Sequence, residues 1–453
     1  MSSQSKKELF GQPLGLYLIS FTSVWERFSY YGMRAFLILY MANDIMKGGP
    51  KAHLGGLGID ENTAGTIYGL FTGACYVLPL IGGYIADHYW GKRRSVLVGG
   101  ILIMIGHFTL AGNMQDNYLI FILGLTILAM GNGFFKPSAP TMIGDLYEAG
   151  DKRRDSAFTI YYSLFNGGAF LAPIICGYFG ETYLYRWGFF VAGIGMLLGL
   201  IIYLLYANKY LGDIGLKPAR AKVEGQQVEK TPLTKVERDR IAVIVVMVFF
   251  VTFFWAGFEQ AGSTLTLYTD KYINLDVMGW TMPTSWMQAV NPLLIVFLGP
   301  VFAYLWMKLE KNGKNPSTPV KMGLGMIALA VGFLFMVGAV LERGGENTDV
   351  NVKASILWLL ATYLLHTIGE LMLSPIGLSM VSKLAPLRMA SLFMGVWFLS
   401  SFVANLLSGI SVQFVNKFGA LTIFAGIAVF VGLLGVIVLF LSRWLIGKMH
   451  GIK

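Results

Sequence analysis

Charge is scarce in this chain. Asp, Glu, Lys and Arg make up only 13% of its 453 residues, too few to coat the surface of a water-soluble protein of that length. Cysteine is nearly absent. The two present, Cys75 and Cys176, lie inside apolar runs, where they read as small packing residues, so neither a disulfide framework nor a thiolate metal site is expected. The five histidines, His53, His88, His107, His366 and His450, show no metal-ligand spacing such as His-Glu-x-x-His. An enzyme needs a nucleophile with its base, or a ligand set, and the sequence offers neither. The first twelve residues lack a short apolar region followed by a small-residue cleavage site, so no cleaved secretory signal is expected and the first helix serves as its own address.

Apolar residues are abundant: 55% of the chain, with a mean hydropathy of +0.61. Runs of about 20 apolar residues, enough to cross a bilayer core as helix, occur at 13–42, 62–87, 93–112, 116–145, 156–180, 186–207, 241–270, 284–307, 319–341, 353–382, 387–414 and 419–445. The fold class is therefore an all-α membrane protein with twelve transmembrane helices. The net charge of +10 first suggests nucleic acid, but its distribution says otherwise. With the N-terminus inside, 25 of the 35 basic residues fall on inner segments and 7 on outer ones. That is the positive-inside bias, with both termini cytoplasmic and no nucleic-acid partner required. A polar stretch at 208–240 divides the helices six and six: an N-terminal bundle at 1–207, a cytoplasmic linker, and a C-terminal bundle at 241–453. Thr234 with Glu237 forms a capping-box pattern that starts helix seven. Pro137, Pro140, Pro173, Pro292, Pro300 and Pro375 fall inside apolar runs, where each favours a kink.

Six charges interrupt the apolar runs at depth. Glu26, Arg27 and Arg34 lie in the first, Lys136 in the fourth, Glu259 in the seventh and Glu370 in the tenth. Charges at membrane depth need partners or a hydrated cavity. Snorkelling to the interface is the competing account for Arg34, about two turns from a helix end, but the short side chains of Glu259 and Glu370 cannot reach far. Balanced charges at mid-depth describe a polar path through a bilayer. His366, one turn before Glu370, either assists proton transfer or simply packs.

Particular stretches narrow the reading. GYIADHYWGKRR at 83–94 resembles the loop signature of the major facilitator superfamily, with Asp87 placed beside Lys92, Arg93 and Arg94 to form charge-assisted bonds at the cytoplasmic side. WERFSYYGMR at 25–34, GNGFFKPS at 131–138, YYSLFNGG at 161–168, FWAGFEQAGS at 254–263, QAVNP at 288–292 and TIGELMLSPIGLS at 367–379 together resemble the proton-coupled oligopeptide transporter family of that superfamily.

The resemblance implies a symporter that imports di- and tripeptides with protons by alternating access. It would sit in a bacterial inner membrane as a lone, multi-pass carrier, with the proton gradient as energy source and no cofactor. It implies that Arg27, Tyr31 and Lys136 hold the peptide carboxylate, that Asn166, Asn291 and Glu370 hold the amino terminus, and that Tyr30, Tyr76, Trp255, Trp397 and Ser401 line side-chain pockets. It further implies bridges of Arg34 with Glu259 and Lys136 with Glu370, with Glu26 and Asp87 also assigned to coupling and gating. One position departs from the family pattern Glu-x-x-Glu-Arg: Ser23 stands at the first acidic place. The departure leaves open how many protons move and on which residue. It also keeps a second reading alive, a divergent member carrying another small anion or a drug-like substrate. Binding of the carboxylate to Arg27 and Lys136 would strip a gate carboxylate of its counter-ion, and protonation would then break a bridge.

Overall fold

The computed structural model describes residues 8–43, 51–148, 151, 153–218, 232–386 and 389–452. Some of the basic residues counted for orientation, among them Lys6, Lys7, Lys152 and Arg388, lie outside the described residues, as does the middle of the expected linker, 219–231.

Thirteen α-helices make twelve long passages among the described residues. They are α1 (Leu14–Ala42), α2 (Glu61–Ile85, continued by a π turn Ala86–Trp90), α3 (Lys92–Ala111), α4 (Tyr118–Gly144), α5 (Arg153–Thr182) and α6 (Tyr185–Leu211), then α7 (Lys235–Phe258) and α8 (Thr264–Tyr272), joined by a 3-10 turn Glu259–Gly262. The rest are α9 (Val290–Lys311, entered by a 3-10 turn Thr284–Ala289), α10 (Thr318–Glu342), α11 (Ile356–Leu384), α12 (Ala390–Phe418) and α13 (Ala420–Lys448). Among the described residues, eleven passages are long and apolar enough to cross a membrane. The exception is α1, whose length carries Glu26, Arg27 and Arg34. Two minimal hairpins, β1 (Glu8–Leu9) with β2 (Gln12–Pro13) and β3 (Asp276–Val277) with β4 (Trp280–Thr281), complete the described elements.

Local chemistry explains several boundaries. Thr234 Oγ1 accepts the Glu237 N–H while the Glu237 carboxylate accepts the Thr234 N–H, so the capping box that starts α7 is formed as expected. Pro292 differs from expectation. It falls in the first turn of α9, where a missing N–H is least costly. Pro79 instead lies inside α2.

The described chain forms two compact units that differ from a simple cut between helices six and seven. Unit 1 comprises Met1–Asp60, Ala74–Gln226 and Pro283–Pro292; unit 2 comprises Glu61–Gly73, Gln227–Met282 and Leu293–Lys453. In unit 1, α1 packs on α5 and α6, and α3 on α4 and α6. A Cβ on Gly82 would lie 2.1 Å from the Gly133 carbonyl oxygen, so α2 and α4 meet backbone to backbone. In unit 2, α10 packs on α11 and α13, and α7 on α12. A buried polar seam ties the α7–α8 break to α12. Gln260 Oε1 accepts from Thr264 Oγ1 and from Ser411 Oγ, both at 2.6 Å, and the Ser263 and Ser408 hydroxyls stand 2.7 Å apart.

Candidate substrate-binding site

Unit 1 gathers most of the residues singled out in the sequence. Three turns of α1 project Glu26, Arg27, Tyr30, Tyr31 and Arg34, while α2 supplies Tyr76, α4 Lys136 and α5 Asn166. The spacing 27, 30, 31, 34 is that of one helical face, so the two arginines and two tyrosines share a side. Aromatic rings lie against each of these cations. The Lys136 ammonium lies 3.9 Å from the Tyr30 ring centroid and 5.5 Å from that of Tyr76. Arg27 stands over Phe165 at 5.1 Å and Tyr31 at 6.0 Å, and Arg34 over Tyr31 at 5.9 Å.

Magnitudes show what such a cradle leaves undone. A cation–π contact contributes about 0.5–2 kcal/mol, whereas withdrawing an ammonium or guanidinium from water costs several kcal/mol. The rings themselves therefore do not neutralise Arg27 and Lys136. Arg27 Nε has the Glu26 carboxylate at 3.5 Å, a neighbour rather than a hydrogen bond. Among the described residues, Glu26 Oε1, Arg27 Nε and the Tyr30 hydroxyl are buried without a hydrogen-bond partner. Each such atom costs about 1–3 kcal/mol unless something satisfies it. A ligand with an anionic end and polar atoms nearby would do so.

Asn166 donates its amide to the Tyr162 carbonyl at 2.9 Å, one turn back. Asn291 lies in the first turn of α9, within unit 1. Sequence reasoning passed over Phe165 as a contact of Arg27, although it stands in the quoted stretch at 161–168, and over Tyr161, which packs edge-on against Phe165 at 5.1 Å. The signal available was the spacing from Tyr161 to Phe165, one helical turn.

Unit 2 holds Trp255, Glu259, Glu370, Trp397 and Ser401. Glu259 is buried in the turn that breaks the seventh passage. The Trp397 ring covers Gly377, where a Cβ would meet it at 2.2 Å, two turns beyond Glu370 on the same helix. Trp255 packs against Phe254 and Phe258.

One expectation is corrected, and one open alternative takes its packing form. Asp87 is exposed in the π turn and, among the described residues, makes no bond to the neighbouring cations. Lys92 reaches Asp145 instead, at 2.6 Å, and Arg93 turns to the Gly212 carbonyl and the Asn208 side chain. The π turn rotates Asp87 outward, which the linear spacing could not show. His366 packs against the rings of Phe333 and Phe258 and against Gly332, with both ring nitrogens buried and unbonded among the described residues. That is the packing alternative. Among the described residues no group of His, Cys, Asp and Glu could hold a metal ion, and both cysteines are free and buried.

Among the described residues, eleven passages long and apolar enough to cross a membrane, with cations set in an aromatic cradle, mark a multi-pass membrane protein. Comparison with known proteins makes this specific. A family model described as the POT family matches residues 93–211 and 205–425. An uncharacterized transporter, YclF, of Bacillus subtilis is 35% identical over 100% of this chain and 98% of its own. The peptide transporter YePEPT of Yersinia enterocolitica is 33% identical, covering 89% of this chain and 88% of its own, and a di-/tripeptide transporter of Lactococcus lactis subsp. cremoris is 32% identical over 96% and 95%. Among solved structures, a mutant of a peptide transporter POT in complex with alafosfalin superposes with a TM-score of 0.89 at 33% identity, covering 98% of both chains. A POT family transporter in complex with 5-aminolevulinic acid gives 0.87 at 29% identity, over 97% and 98%. The chain belongs to the POT family, a family of transporters with the major facilitator fold.

Proposed function

We propose that this protein imports di- and tripeptides together with protons by alternating access, across a bacterial inner membrane, with both termini cytoplasmic. The observation that carries this reading is the under-neutralised pair Arg27 and Lys136, held by Tyr30, Tyr31, Tyr76 and Phe165 in unit 1. A peptide carboxylate meets both cations, and Asn166, Asn291 and Glu370 take the ammonium end. Recognition then rests on the two charged termini, and Trp255, Trp397 and Ser401 accept varied side chains. Relatives named for peptides, and neighbours solved with alafosfalin and 5-aminolevulinic acid, support a small substrate with an amine and an acid end.

Coupling follows from competition for cations. A carboxylate deprived of its counter-ion in apolar surroundings takes up a proton, and the pairs Arg34 with Glu259 and Lys136 with Glu370 form and break through the cycle. Domains at 1–207 and 241–453, joined through 208–240, move as the two halves of that cycle, in a monomer. Glu26 and Asp87 remain assigned to coupling and gating, Asp87 without the pairing first expected for it. The test is uptake of labelled dialanine into proteoliposomes with and without an imposed pH gradient. Wild-type protein accumulates dialanine only with the gradient, and Glu370→Gln abolishes accumulation. Normal accumulation by that variant would remove Glu370 from the mechanism.

A further inference from the structure

A second buried cation lies in unit 2, away from the residues described above. Lys321, in the first turns of α10, is only 9% exposed, and its ammonium stands 4.3 Å from the Trp306 ring centroid. Among the described residues it has no ion-pair or hydrogen-bond partner. The acid whose charge reaches it, Glu310, is exposed and accepts the Asn315 amide at 2.6 Å. A ring offsets only part of what it costs to withdraw an ammonium from water.

The start of α10 adds further donors beside this lysine. Ser317 stands four residues before Lys321, so the two share a face, and a helical side chain leans toward the N-terminus, which brings the Lys321 stem back toward Ser317. As N-cap, Ser317 makes no capping bond, and its hydroxyl oxygen is buried without a partner among the described residues. The Thr318 and Val320 N–H groups have no acceptor within the helix, and Pro319 has no N–H. Snorkelling beside Trp306 accounts for the lysine stem but leaves the buried hydroxyl unexplained. An ammonium, a hydroxyl and backbone N–H groups at the positive end of a helix together suit a phosphate. Asn315 Oδ1, also buried and unbonded among the described residues, is an acceptor for a hydroxyl close by.

The preceding helix indicates which phosphate. Phe297, Val301 and Tyr304 are exposed on α9, and Lys308 and Lys311, exposed as well, continue the same face toward its end. An apolar stripe that finishes in cations matches a lipid, with an acyl chain along the stripe and an acidic headgroup at the basic end.

We propose that the start of α10 binds the phosphate of an anionic phospholipid: Lys321 and Ser317 hold the phosphate, Asn315 accepts from a headgroup hydroxyl, and the exposed stripe of α9 carries an acyl chain. The site lies wholly within unit 2 and involves neither peptide nor proton.

The test is native mass spectrometry of the full-length protein in detergent with equal amounts of phosphatidylglycerol and phosphatidylcholine of matched chains. Wild type should take phosphatidylglycerol as its first adduct about fivefold more often than phosphatidylcholine. Lys321→Met, which keeps a stem on Trp306 and removes the charge, should erase that preference, and Lys321→Arg should keep it. Ser317→Asp separates ligand from structure. An aspartate is favourable at a helix start, so the melting temperature should hold or rise, while its carboxylate repels the phosphate and erases the preference. Lys209→Ala, which removes an exposed cation beside Tyr210 in unit 1, should leave the preference within about twofold. Absence of any preference in wild type overturns the proposal, as does normal phosphatidylglycerol binding by Ser317→Asp. Equal losses in Lys209→Ala and Lys321→Met also overturn it, because they assign binding to diffuse charge. So does displacement of the lipid by millimolar inorganic phosphate, which would make the ligand a soluble one. Should Lys321→Met not fold, Ser317→Asp and Lys321→Arg decide the matter. Dialanine uptake plays no part in the measurement, so failure of the peptide reading would leave it standing.

Discussion

Ser23 is the residue at which this chain departs from its family's pattern, and it is buried in α1 one turn before Arg27. A serine there cannot carry a proton, which leaves Glu26, Glu259 and Glu370 as the acids that the sequence sets inside its apolar runs. Ser23→Glu is expected to leave dialanine affinity within about threefold, because single changes away from the contacts seldom shift binding by more than about 1 kcal/mol. It should alter the pH dependence of uptake, read as initial rates from pH 5 to 8. A loss of binding would place Ser23 in the substrate site itself. At this scale the sequence was informative about residue type and depth: Lys136 and Arg27 stood out as charges in apolar runs. Their surroundings were not legible, since the rings of Tyr30, Tyr76 and Phe165 meet them only after four helices pack.

Helix ends follow local chemistry closely, as the capping box at Thr234 and Glu237 illustrates. Interruptions do not. The seventh run reads as continuous apolar sequence, yet it breaks at Glu259–Gly262, where Gln260 is engaged by Ser411 from a distant helix. No local pattern encodes a partner about 150 residues away. The turn before α1 is another tertiary product. Tyr147 donates its hydroxyl to Gln12 Oε1 at 2.6 Å, and Gln12 Nε2 donates to Ser156 Oγ at 2.8 Å, tying β2 to the ends of α4 and α5. Burial pushes the Tyr147 hydroxyl up to about 12. A group held neutral in this way contributes stability that is full below its unfolded value of about 10 and is lost as pH rises from there to about 12. Tyr147→Phe should therefore cost about 1 kcal/mol near neutrality, from the lost hydrogen bond. It should also flatten the decline of melting temperature between pH 9 and 11. Parallel declines in the two proteins would show that Tyr147 does not titrate differently on unfolding.

Across the whole molecule, twelve passages were legible from hydropathy, because the bilayer imposes length and apolarity on composition, and the basic residues supply an expected orientation. Membership of the contact units was not legible in the same way. Glu61–Gly73 and Pro283–Pro292 each lie with helices from the other side of the linker, brought there by close contacts such as Gly65 and Gly69 on Gly409 and by the bonds that Glu181 accepts from the Thr284 and Ser285 N–H groups. The central claim is that cations short of counter-charge hold the carboxylate of a short peptide. Equilibrium binding of dialanine against its C-terminal amide, in wild type and in Lys136→Ala, tests it directly. Wild type should prefer the free acid by about 10- to 100-fold, the worth of one charge-assisted contact, and Lys136→Ala should lose most of that preference. Equal affinity of wild type for the acid and the amide would contradict the account.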